Sequence, residues 1–68
     1  MHVDIRKNII ENFKDSNVEE IKTSIEESII NNEEITLPGL GVFFELLWKH
    51  SNSDLQKQIL SIITQHLK

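Results

Sequence analysis

The sequence predicts an all-α protein, a small bundle of four short helices with a Pro-Gly turn before the third helix. Three observations predict it. Apolar residues recur at three- and four-residue spacing, the period of a helix face and not of an alternating strand. Serine and asparagine capping signals separate the periodic stretches. The single proline, Pro38, and the two glycines, Gly39 and Gly41, stand directly before a run that is apolar almost all round.

In "HVDIRKNIIENFK", Ile5, Ile9 and Phe13 repeat every four residues, and Val3 and Ile10 fill the adjacent edge of the same face. A first helix is expected from about residue 2 to 14. Asp4 near its start and Lys14 at its end suit the helix dipole. Arg6 lies close to the apolar arc. Its stem packs while its head snorkels or caps a carbonyl, or its guanidinium pairs with the acidic second helix or with a partner chain.

The second helix is expected to open at a capping box formed by Ser16 and Glu19. Val18, Ile21, Ile25 and Ile29 form its narrow stripe, and the pairs Glu19/Glu20 and Glu26/Glu27 occupy its flanks and back. It ends near Asn31 and Asn32, since asparagine tolerates the left-handed conformation that closes helices. The short link to the first helix implies an antiparallel hairpin. Residues 33 to 37 read as a short extended segment or a simple connector.

Pro38 disfavours helical angles at Leu37, so no helix is expected to cross this point. Gly39 and Gly41 then supply the freedom for a tight turn. From Val42 to His50, the apolar Val42, Phe43, Phe44, Leu46, Leu47 and Trp48 leave Glu45 and Lys49 as a polar strip. Those two stand at i, i+4 in the favourable order. A second capping box, Ser53 to Gln56, opens a last helix with the stripe Leu55, Ile59, Ile62, Ile63 and Leu67.

Residues 1–68 are expected to form one small helical domain of 7.9 kDa, and the sequence shows no internal repeat or linker. A core of this size rarely supplies more than about 3 to 5 kcal/mol. With no cysteine, disulfides cannot add to it, and cysteine-based zinc sites and thiolate chemistry are excluded. The third helix carries more apolar surface than three thin amphipathic neighbours can cover, so a homodimer is expected. No run approaches the length of a membrane span, and the N-terminus lacks a basic stretch followed by an apolar one, so no membrane association is expected and the protein should stay inside the cell.

The net charge is -4, concentrated between Glu11 and Glu34, where eight acidic residues face two lysines. That balance opposes attraction to phosphate backbones. His2, His50 and His66 are dispersed, and none stands at i, i+4 to another histidine, so no metal is assigned. Adjacent glutamates on a helix diverge by roughly 100°, so the pairs do not converge on a substrate and are read as a solvated face. No catalytic residue and no cofactor is expected. "PGLG" lacks the lysine of a phosphate loop and the third glycine of a dinucleotide fingerprint. Leu37, Pro38, Gly39, Leu40, Gly41, Val42, Phe43, Phe44 and Trp48 are therefore taken as a structural or interaction motif.

The same stretch carries a resemblance. Glu33, Glu34, Leu37, Pro38, Gly39, Leu40, Gly41, Val42, Phe44, Glu45 and Trp48 are similar to the central pattern of the small acid-soluble spore proteins of the minor I type from endospore-forming Firmicutes. An Ile5-Arg6 near the start and an acidic, isoleucine-rich second helix extend the similarity over nearly the whole chain. The resemblance implies a protein of sporulation, made in the forespore and retained in the spore core, with no enzymatic activity. Acid solubility follows physically, because in acid the 11 carboxylates lose charge while seven Lys and Arg and three His stay cationic.

A fainter similarity, in Gly39-Leu40-Gly41-Val42-Phe43, is to the histone-like HU proteins. It implies an architectural analogy for dimerisation, while the scattered basic residues Arg6, Lys7, Lys14, Lys49, Lys57 and Lys68 separately keep open an alternative HU-like or accessory nucleic-acid-binding role. The basic arms that enter the minor groove in that family are absent here.

Overall fold

The computed structural model describes residues 4–31 and 34–68. Four α-helices follow one another: α1 (Ile5–Phe13), α2 (Val18–Asn31), α3 (Leu37–Lys49) and α4 (Ser53–Leu67), with a 3-10 turn, Glu34–Thr36, leading into α3. No strand occurs among the described residues, and the all-α expectation holds. The segment after α2 that sequence reading left open is thus helical from Glu34 onward.

α1 begins where Asp4 caps it, the carboxylate accepting from the Lys7 amide at 2.9 Å. This satisfies one of the amides that the first turn leaves without a partner. His2 and Val3, which the sequence assigns to the helix, lie outside the described residues, as do Asn32 and Glu33.

Both helix caps sit one residue earlier or later than the serines imply. α2 is capped by Asn17, whose side chain accepts from the Glu20 amide at 2.8 Å while Glu20 reaches back to the Asn17 amide at 3.5 Å. α4 is capped by Asn52, which accepts from the Leu55 amide at 2.8 Å. The serine hydroxyls are displaced from the role by an adjacent asparagine with the same local geometry.

The Pro-Gly turn before the third helix is corrected more substantially. α3 starts at Leu37, so Pro38, Gly39 and Gly41 belong to the helix itself. Proline is accommodated in the first turn because its missing N–H would have had no intrahelical partner there. Neither glycine adopts a left-handed φ. A 3-10 turn leads into α3 instead, and from it the Thr36 hydroxyl donates to the Ser28 carbonyl at 3.5 Å.

α3 is the hub. α1 packs on it most extensively and α2 also packs against it, in place of the side-by-side hairpin of α1 and α2 expected from their short link. Phe13 of α1 meets Phe43 of α3 edge to face, with ring centroids 5.1 Å apart and planes at 75°. This is the favourable arrangement for two aromatic quadrupoles. Beside it, Arg6 of α1 forms an ion pair with Glu45 of α3. α4 follows a three-residue connection and is fastened near the end of α3, where the Gln56 side-chain Nε2 donates to the Trp48 carbonyl at 2.9 Å.

Val42 is the one buried apolar residue among the described positions, at 8% exposure. Phe44, Leu46 and Leu47 of the same helix stay 40% or more exposed. The near-complete apolar wrap of α3 is therefore only partly covered within a single chain.

Candidate interaction groove

The residues that α1, α2 and α3 leave uncovered line a common hollow. Ile10 and Phe13 come from α1, Ile21 and Ile25 from α2, and Leu40, Val42, Phe43, Phe44, Leu46 and Leu47 from α3. The groove has a volume of about 620 Å³ and opens to solvent. Lys14 is the titratable side chain on its wall. Its lining can exclude water and hold apolar surface.

The sequence-derived motif divides at this groove. Leu40, Val42, Phe43 and Phe44 lie on its wall. Gly41 and Trp48 face a neighbouring cleft, shared with Phe44, Glu45, Lys49 and Leu60 of α4, in which Phe44 and Trp48 stack with centroids 6.0 Å apart. Leu37 and Pro38, at the exposed start of α3, contribute to neither. The motif's glycines have no atoms close to where a Cβ would stand, so no tight approach within the chain requires them.

The groove also gathers residues that sequence reading had assigned only to helix stripes. Ile10, Phe13, Ile21 and Ile25 were legible as apolar faces, and the structure shows that they converge on α3 without being buried by it.

The polar framework beside the groove is built on Glu45. Arg6 reaches it through Nε to Oε1 at 2.7 Å and Nη2 to Oε2 at 2.8 Å, and Lys49 approaches Oε1 at 3.3 Å. The Arg6 hydrogen bond holds the Glu45 carboxyl below its ordinary range, outweighing the opposing effect of burial, and the Lys49 hydrogen bond and both positive charges add to it. The same hydrogen bond raises the Arg6 guanidinium, with the Glu45 charge adding to it. Arg6 thus pairs with α3 and not with the acidic α2. The i, i+4 pairing of Glu45 with Lys49 is as the sequence predicts. Two of the six cations on which a nucleic-acid-binding role would draw, Arg6 and Lys49, share this one carboxylate.

His66 lies exposed in the last turn of α4. Among the described residues, no three His, Asp or Glu side chains gather as a metal site, and no helix is long and apolar enough to cross a membrane.

A family model described as small, acid-soluble spore protein I matches residues 3–67. Relatives called small, acid-soluble spore protein I are similar along their whole length. That of Halalkalibacterium halodurans is 38% identical over 68 residues, covering all of both chains. That of Geobacillus kaustophilus is 35% identical over 68 residues, covering all of this chain and 99% of the relative. That of Bacillus subtilis is 34% identical over 68 residues, covering all of this chain and 96% of the relative. No solved structure matches the chain. With the match running from the start of α1 to the end of α4, the chain belongs to the small, acid-soluble spore protein I family.

Proposed function

We propose that the protein is a non-enzymatic component of the spore core, made in the forespore during sporulation, that acts by structure or interaction. The sporulation context follows from the family. The observation that supports an interaction role is the groove between α1, α2 and α3, whose wall is aliphatic and aromatic apart from Lys14. Such a surface gains free energy by meeting another apolar surface, whereas proton or group transfer needs converging polar groups.

Survival in acid fits the same reading. By composition, acid removes the negative charge of the 11 Asp and Glu and leaves the charge of seven Lys and Arg and three His on a chain of 68 residues. Mutual repulsion then keeps the chains dispersed.

The test is location. A fluorescent fusion expressed from the native promoter in a sporulating culture is expected to light the forespore and remain inside the released spore. The untagged chain is expected in the dilute-acid extract of broken spores. Signal confined to the mother cell or to vegetative cells would contradict the reading.

A further inference from the structure

A folded monomer of 7.9 kDa exposes about 4,400 Å² by the usual scaling of surface with mass. This chain exposes 6049 Å². The excess, roughly 1,600 Å², is about twice the roughly 800 Å² per partner that a standard stable interface buries. Its radius of gyration tells the same story, 13.4 Å against about 11 Å for a compact chain of this length. The fold is open by about twice the area that one partner of ordinary interface size covers.

The chain carries both halves of such a contact. One half is the groove. The other is α4, an amphipathic helix of 15 residues whose apolar Ile62, Ile63 and Leu67 stay exposed. α4 cannot serve its own groove in this arrangement. The three-residue connection after α3, the hydrogen bond from Gln56 to the Trp48 carbonyl and the seating of Leu60 beside Gly41 and Trp48 hold it on a different side of α3.

Charge favours the same pairing. α2, which forms one wall of the groove, carries Glu19, Glu20, Glu26 and Glu27 against Lys22. Between Ser53 and Lys68, Lys57 and Lys68 outnumber Asp54. The acidic flanks of α2, outside the apolar lining that α2 supplies through Ile21 and Ile25, and a mildly basic α4 attract between chains, where a like-charged pair would repel.

We propose that two copies of the chain pair reciprocally, each laying the exposed face of α4 into the groove between α1, α2 and α3 of the other. Two-fold symmetry closes this exchange, since each copy offers one helix and one groove, and no further copy can add. The pairing goes beyond the spore-core role and stands apart from its test. A chain that stays monomeric contradicts the pairing and leaves its location in the spore untouched.

The absence of cysteine makes the contact directly testable by cross-linking. Leu47, on the groove wall, and Ile62, on α4, are both substantially exposed, so Leu47→Cys and Ile62→Cys are expected to leave the fold of each chain intact. Mixing the two variants under mild oxidation is expected to give a mixed disulfide dimer in clear excess over either variant alone. A mixed dimer no more abundant than the single-variant controls would overturn the proposal.

The full chain carrying Ile62→Glu and Ile63→Glu supplies the second arm. It is expected to keep its helical circular dichroism and to sediment as a monomer. Retention of the dimer would place the interface elsewhere and overturn the proposal. If this variant loses helicity, the cross-linking arm decides.

Discussion

Arg6 and Glu45 face each other fork to fork, with Nε to Oε1 at 2.7 Å and Nη2 to Oε2 at 2.8 Å, and so join the first helix to the third. The two residues are 39 positions apart. With the Phe13–Phe43 ring contact, they fix the orientation of α1 against α3 and hence one wall of the groove.

The pair makes stability depend on pH in a defined direction. Glu45 is held below its ordinary value of 4.5 in the folded chain, first by the Arg6 hydrogen bond. A carboxylate with a depressed folded pKa contributes stability above its unfolded pKa and loses it as pH falls through the folded one. Thermal unfolding followed from neutral pH downward is expected to show a loss of midpoint that begins as the pH drops below about 4.5. Glu45→Gln is expected to start lower at neutral pH and to flatten that portion of the decline. An unchanged profile in the variant would contradict the pairing.

The helix caps give a sharper contrast between neighbours. Asn17→Ala and Asn52→Ala are each expected to cost about 1 kcal/mol in urea unfolding, the usual loss on removing a cap. Ser16→Ala and Ser53→Ala are expected to change stability by no more than about 0.5 kcal/mol. The reverse order would restore the serine capping boxes.

Gly39 and Gly41 test where α3 begins. In a helix with open space around both, alanine is expected to stabilise the fold by about 0.5 to 1 kcal/mol at each site. If the segment were a turn with left-handed glycines, the same changes would destabilise it. Calorimetric midpoints of the two single variants decide the sign.

The buried centre is small, so its response should be modest. Val42→Ala removes two buried carbon groups and is expected to cost about 2 kcal/mol. A Phe13→Leu, Phe43→Leu double-mutant cycle is expected to return a coupling of about 1 kcal/mol for the edge-to-face contact. Both are read from denaturant unfolding.

Much of this fold was legible in the sequence because helix periodicity and helix polarity are local. The stripes of Ile5, Ile9 and Phe13, and of Leu55, Ile59 and Ile62, placed α1 and α4 without any knowledge of contacts. The caps slipped by one because "SNVEE" and "NSDLQ" each offer two adjacent polar residues, and only the phase of the folded helix selects between them. Pro38 misled for a related reason. Its local effect on Leu37 reads as a stop, while its tolerance in a first turn depends on a start signal, the 3-10 turn, that the sequence does not announce.

What joins distant segments was least legible. Nothing near Arg6 marks Glu45 as its partner over the many carboxylates of α2, because that choice is made by the docking of α1 on α3. Likewise, the apolar character of α3 was plain in Val42 to Trp48, but that so much of it stays exposed in one chain depends on where α4 lies.

The most direct measurement of whether a second copy covers that surface is sedimentation equilibrium of the full chain across low to high micromolar concentration at neutral pH. A species of twice 7.9 kDa that dissociates on dilution is expected. A single species of 7.9 kDa throughout that range would contradict it.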